Sequence, residues 1–325
     1  PKVAAYHRKA LNIENFSFNN IRTPGEANPR KANMINCLDD EVRVELGKST
    51  QQSGEAALRS LEAAVADLKA GKIDVLVTAP IDKHAIQSES FNFPGHTEYL
   101  KSAFEQEEVL MLMVSGKLRI GTVTGHIPLS EVAGQITVAS VVRKLHLLND
   151  SVRVDFAVRK PRLAVLSLNP HAGDNCLLGR EEKEIITPAI EQAYKEGVLA
   201  FGPFPSDGFF GSDEFNKYDG ILAMYHDQGL IPFKALASGT GVNFTAGLPV
   251  VRTSPAHGTA FHLAGLGKAS ESSFRHAIYV ACDIYRNRQL HKEISANPLM
   301  HQQIDTRHDR PDELPPELLN NDREI

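Results

Sequence analysis

An α/β fold with a mixed sheet is the class that this 325-residue chain predicts, on three observations. Apolar runs of strand length, LRIGTV at 118–123, RLAVLSL at 162–168 and DGILAM at 219–224, alternate with amphipathic stretches of helical period. Each of these runs leads directly into a histidine-bearing polar segment, TGHIPL, LNPHAGD or AMYHDQG, which is how an open sheet delivers polar groups to the carboxyl ends of its strands. Finally, VLMLMV at 109–114 and LRIGTV flank Ser115-Gly116-Lys117, a short glycine-containing connection that favours an antiparallel hairpin. The sheet therefore mixes strand directions.

The opening PKVAAYHRKALN has neither an initiator Met nor a secretory pattern, so VAAYHRKAL reads as the second helix of an α/β unit in a chain cut at its N-terminus. Leu58, Leu61, Val65 and Leu68 recur at helical spacing with charged residues between them; Ser53 is placed to cap this helix and Gly71 follows its last turn. It feeds the short buried strand IDVLV at 73–77. Helical patterns return at 137–148, 181–196 and 272–286. Beyond Asn297 the chain turns charged and proline-bearing, with little to bury, and reads as a solvated tail.

The length suffices for two domains, and without a Gly/Ser linker between them they are expected to share a cleft. With 42% apolar and 23% charged residues the chain is of globular type, and no apolar run approaches the length that spans a bilayer. A formal net charge of -5 argues against nucleic acid as a partner, because that role leaves a basic footprint. Cys37, Cys176 and Cys282 are odd in number and far apart, which indicates neither a disulfide framework nor a zinc ribbon and fits a reducing cytoplasm.

Three strand-end histidines, His126, His171 and His226, suit a catalytic divalent metal, which takes about three protein ligands and keeps an open position. Their spacing leaves convergence open, since no helical HxxxH or CxxC links them. Asp207 in PSDGFF and Asp227 beside His226 are the carboxylates for proton transfer or for orienting those imidazoles. A turn at Pro94-Gly95 presents His96 and Thr97 together. SPAHGTAFHLAGLGKA carries Gly258, Gly265 and Gly267, which permit the close backbone approach a dinucleotide needs; the absence of GxGxxG after a strand disfavours a Rossmann unit.

In order, VTAPIDKHAI, FPGHTEYL, TGHIPL, LNPHAGDN, GPFPSDGFF, AMYHDQGLIPFK, GVNFTAGLPVVRTSPAHGTA and AGLGKA resemble the 4-hydroxythreonine-4-phosphate dehydrogenase family of vitamin B6 biosynthesis, over residues 74–269. The glycine-rich GDPxGIG-type turn with which that family begins has no match in residues 1–50. The resemblance implies two α/β/α domains of isocitrate and isopropylmalate dehydrogenase type, residues 1–95 with 245–325 and residues 96–244, and an active site in the cleft between them. It implies that His126, His171 and His226 hold one divalent metal (Zn, Mg, Mn, Co or Ni) at a homodimer interface, and that His96, Thr97, Lys234, Asn243 and Arg252 bind a small phosphorylated hydroxy acid. Lys234 also counts among the catalytic residues with Asp207 and Asp227. His257, Gly258, Thr259 and Ala260 match the HGTA loop that cradles the adenosine part of NAD or NADP, whereas His262 stands where relatives more often have an acidic residue. The implied reaction is oxidation and decarboxylation of 4-hydroxy-L-threonine 4-phosphate to 3-amino-2-oxopropyl phosphate. Threonate or erythronate 4-phosphate is the competing substrate, and a hydrolytic zinc enzyme or an inactive binding relative are readings of other classes.

Overall fold

The computed structural model describes residues 1–38 and 42–299. Pro1–His291 forms one compact unit; beyond it Lys292–Ser295 are the end of the last helix and 296–299 are non-helical. The tail lies, from residue 300 onward, outside the described residues. In chain order the elements are α1 (Lys2–Ala10), β1 (Asn19–Ile21), β2 (Asn33–Ile35), α2 (Gln51–Lys69), β3 (Val75–Val77), α3 (His96–Ala103), β4 (Leu110–Ser115), β5 (Leu118–Thr122), α4 (Leu129–Gln135) and α5 (Val138–Val154). They continue with β6 (Arg162–Leu166), α6 (Thr187–Lys195), β7 (Leu199–Phe204), α7 (Ser206–Gly211), β8 (Gly220–Ala223), α8 (His226–Ala237), β9 (Val242–Ala246), β10 (Val251–Pro255) and α9 (Ser272–Ser295).

The mixed α/β sheet is borne out. Eight strands run in the order β3-β10-β9-β4-β5-β8-β6-β7, while β1 and β2 pair separately. The hairpin β4-β5 is antiparallel, as the Ser115-Gly116-Lys117 connection required, and Gly116 takes the left-handed φ of 57°. β5, β8, β6 and β7 are mutually parallel, so the loops that follow them emerge at one edge of the sheet. The sheet passes through both of the expected halves, since β3 and β10 come from one and β4 to β8 from the other.

Alternation along the strands sends side chains to two buried faces. Leu110, Leu112, Leu163, Val165, Leu222 and Phe244 meet the apolar stripes of α5, α6 and α9, including Leu145, Ala189 and Ala281. On the opposite face Met113, Ile120, Ala164 and Ile221 meet Leu230 and Phe233 of α8 and Phe209 of α7. A third cluster joins Leu58, Leu61, Val65 and Leu68 of α2 to Leu76 on β3 and to Leu100 and Phe91. The stripe read from the spacing of α2 is thus the buried one.

Several details differ from the sequence reading. The N-cap of α2 is Thr50 rather than Ser53: Ser53 donates its backbone N–H to Thr50 Oγ1 at 3.1 Å while its own hydroxyl accepts from the Thr50 N–H at 3.1 Å, closing a capping box. α5 runs six residues past Leu148, because Ser151 and Val152 continue its buried face and Ser151 Oγ donates to Asp155 at 2.8 Å. The short strands β7, β9 and β10 were not anticipated as strands.

Candidate active site

Neighbouring strands supply the floor of a hollow of about 250 Å³. Asn243 on β9 pairs in register with Met113 on one side and with Ser254 on the other, so all three point to one face; Met111 and Arg252, two residues away along their strands, join them. His226, Leu230 and Lys234 are spaced four apart on α8, so one stripe of that helix forms a wall. Gly229 lets the helix approach closely: a Cβ there would stand 3.0 Å from Ile120 Cγ2 and 3.2 Å from the Ala223 Cβ. His96 and Thr97 open α3 and form another wall, with Lys83 and Glu98 beside them, and His126 arrives from the loop after β5.

Charge and burial define what the hollow accepts. Arg252 is buried, and its Nε and Nη2 donate to Thr78 Oγ1 at 3.1 and 2.7 Å while Nη1 donates to Thr245 Oγ1 at 3.3 Å. Burial lowers its pKa to about 10, with the Glu98 carboxylate opposing, so the guanidinium stays charged at neutral pH. Among the described residues no carboxylate lies within ion-pair distance of it. Burial first, then Arg252 and Lys83, press His96 down to about 3, which keeps that imidazole neutral. His126 is lowered for the same leading reason, aided by Lys83 and His226. Asn243 Oδ1 is buried without a hydrogen-bond partner. A buried cation with no ion-pair partner in contact, and an orphaned acceptor, call for a ligand that is both anionic and able to donate a hydrogen bond.

A second, larger hollow of about 970 Å³ adjoins, mainly apolar, between α2, the segment 42–48 and the loop 257–271. Thr259, Ala260, Gly265 and Gly267 border it, and Gly265 and Gly267 take φ values of 76° and 65° that favour glycine. His257 borders both hollows, while Gly258 faces the smaller one.

The three expected metal ligands are only partly gathered. His126 and His226 have ring centroids 5.3 Å apart. His171 follows β6, the next strand along the same edge, and is not among the residues that line this hollow. It begins a run of six consecutive residues, through Cys176, with positive φ. Among the described residues no group of three His, Cys, Asp or Glu side chains could hold a metal ion. The imidazoles of His126 and His226 stand close enough to share a ligand, but by themselves they are one donor short of the three that a catalytic metal ordinarily takes from the protein. Asp227 Oδ1 lies 2.7 Å from His226 Nδ1, fixing that ring, and Asp207 sits exposed in the first turn of α7; neither lines the hollow.

Sequence reasoning passed over Lys83 and Thr78, although both lie in the segment VTAPIDKHAI, and Glu182. Buried Glu182 accepts from the backbone N–H groups of Leu168 and Asn169 at 2.9 and 2.7 Å, tethering the loop that carries His171. The π-helical turn Glu182–Ile186 was the structural feature that no periodicity marks.

In this α/β molecule a cationic, imidazole-lined hollow thus opens beside a larger, mainly apolar one. The family model described as pyridoxal phosphate biosynthetic protein PdxA matches residues 2–281. A 4-hydroxythreonine-4-phosphate dehydrogenase of Bacteroides thetaiotaomicron is 53% identical over 311 residues, covering 95% of this chain and 85% of that protein. The crystal structure of the Klebsiella pneumoniae 4-hydroxythreonine-4-phosphate dehydrogenase superimposes with a TM-score of 0.75 at 35% identity, covering 85% of this chain and 86% of that one. A terephthalate 1,2-cis-dihydrodiol dehydrogenase of Burkholderia xenovorans gives a TM-score of 0.56 at 26% identity, covering 76% of this chain and 78% of that one. The chain belongs to the PdxA family of pyridoxal phosphate biosynthetic proteins, and it is an oxidoreductase of that family.

Proposed function

We propose that this protein oxidises and decarboxylates 4-hydroxy-L-threonine 4-phosphate to 3-amino-2-oxopropyl phosphate, passing hydride to NAD or NADP. The observation that carries this reading is His257, which borders the anion-accepting hollow and the larger apolar one alike, so a dinucleotide in the latter would end beside a substrate in the former. His257, Gly258, Thr259 and Ala260 would then hold the cofactor.

Arg252 and Lys234 supply fixed positive charge for the phosphate and carboxylate, and Asn243 accepts a hydrogen bond from the substrate. His96, neutral across the physiological range, exchanges hydrogen bonds with the substrate without adding charge, and Thr97 offers a hydroxyl beside it. His126 and His226, with His171 from a second copy of the chain, would hold one divalent metal, whether Zn, Mg, Mn, Co or Ni. Such an ion would supply Lewis acidity to an oxygen of the substrate. Asp227 orients the His226 ring through Nδ1, and Asp207 and Asp227 are the carboxylates that would take and return protons from beside the hollow. This assigns a shared active site to a homodimer built from two-domain subunits and, from the cysteine usage, a cytoplasmic setting. No helix among the described residues is long and apolar enough to cross a membrane.

A specific observation favours a second reading of the substrate: a relative with the same fold is named for a quite different diol, so the scaffold does not by itself select the acid. Formation of reduced nicotinamide, measured with 4-hydroxythreonine, threonate and erythronate 4-phosphates and each metal in turn, is expected to favour the amino acid. Higher kcat/KM on either hydroxy acid would overturn the assignment, and hydrolysis without nicotinamide reduction would remove the protein from the dehydrogenases.

A further inference from the structure

We infer that Gln228 is a positioning residue that locks three candidate active-site loops into one register through a single side-chain amide. Its Oε1 accepts from the Met224 backbone N–H at 2.6 Å, at the end of β8. Its Nε2 donates to the Ser167 carbonyl at 2.5 Å, at the end of β6, and to Ser206 Oγ at 2.7 Å, in the first turn after β7. Both amide hydrogens and the carbonyl are thus engaged, each by a different parallel strand.

Every one of these anchors leads into a segment that carries a candidate catalytic or metal-binding side chain. Met224 precedes His226 and Asp227 by two and three residues, Ser206 immediately precedes Asp207, and Ser167 begins the segment that reaches His171 four residues on. Past the strand ends the Ser167 N–H still donates to the Phe204 carbonyl at 2.8 Å, but among the described residues no such backbone bond joins the Met224 segment to the other two, so side chains fix its height against them. The Ser167 carbonyl is deeply buried and Gln228 half-buried, which makes these bonds costly to exchange for water. Gln228 occupies the third position of α8, where a side chain naturally reaches back to the N-terminal backbone; here the same reach also spans to two neighbouring loops. The opposite flank of the His171 loop is held by Glu182, so the clamp completes a two-sided mount. Partners that orient ligating or catalytic groups in this way typically carry about tenfold to hundredfold in activity or metal affinity.

The proposal rests on the dehydrogenase reading for its functional half only, and amide hydrogen exchange separates the two. Gln228→Ala is expected to raise exchange about tenfold in peptides covering 167–171 and 205–209, with β4 and β5 unchanged. Gln228→Glu, isosteric but unable to donate to the Ser167 carbonyl, should loosen 167–171, and Ser206→Ala should loosen 205–209 alone. In turnover, Gln228→Ala is expected to lower kcat about tenfold or more while the KM for the dinucleotide stays within about twofold. Unchanged exchange in both distant segments would overturn the inference, as would a uniform loss of protection across the sheet, which marks a merely structural residue. If the wild-type protein reduces no nicotinamide, the functional reading fails on its own, and the exchange pattern still decides whether Gln228 is the clamp.

Discussion

At the scale of single residues, a buried charge without a contacting counter-ion is what distinguishes the site. Arg252 combines a shielded guanidinium with three hydroxyl contacts from Thr78 and Thr245, which aim it without neutralising it. Arg252→Lys keeps the charge but loses the planar fork, so the apparent KM for the phosphorylated substrate is expected to rise at least about tenfold, about 1.4 kcal/mol of binding. The unphosphorylated substrate should barely respond; equal weakening of both would assign Arg252 to the carboxylate or to the loop instead. Alanine at His126, His171 or His226 is expected to abolish turnover with the fold largely intact. Stoichiometric metal retained by all three variants would sink that ligand set. His96 adds a pH signature. Its folded-state pKa of about 3 lies below its ordinary value of 6.5, so between these values the unfolded chain binds more protons. Stability is therefore expected to fall as pH drops from 6.5 towards 3, by about 5 kcal/mol at most from this group, and His96→Asn should flatten that limb of the curve. Parallel curves for the two proteins would remove the effect.

At the scale of elements, α2 shows how packing overrules propensity. Gly54 lies inside a helix, where alanine ordinarily stabilises by up to about 1 kcal/mol. A Cβ at this position would stand 1.8 Å from the Ala85 carbonyl oxygen, so the glycine is what lets α2 seat against the turn at 82–86. Gly54→Ala is therefore expected to destabilise by about 2 kcal/mol or more, read from denaturant midpoints; a gain in stability would mean that the turn yields freely. Because that turn leads to Lys83 on the hollow, the same change should also weaken substrate binding.

At the scale of the whole molecule, one continuous sheet carries every candidate loop, and the third imidazole does not join the other two within a single chain. Exposed Leu129, Leu177 and Ile231 lie within six residues of His126, His171 and His226 in turn, which is where a second copy would bury apolar surface while completing the ligand set. Sedimentation at micromolar concentration is expected to give a dimer, and full activity in a monomer would count decisively against a shared site.

Sequence alone determined what depends on local chemistry and period. The α2 stripe of Leu58, Leu61, Val65 and Leu68, the β4-β5 hairpin around Gly116, and the delivery of His126, His171 and His226 to one edge of the sheet were all legible, because side-chain periodicity and strand ends are written along the chain. The hollow was legible only as a set of its members. That Asn243, Met113 and Ser254 share one face depends on register between strands far apart in sequence, which three-to-six-residue strands such as β9 and β10 do not announce. Tertiary structure alone decided that Thr78 aims Arg252, that Gln228 spans three loops and that His126 stands beside His226 without His171. Each of these is a meeting of polar groups between non-neighbouring segments, and a polar group's partner, unlike its periodicity, has no imprint in the residues on either side of it.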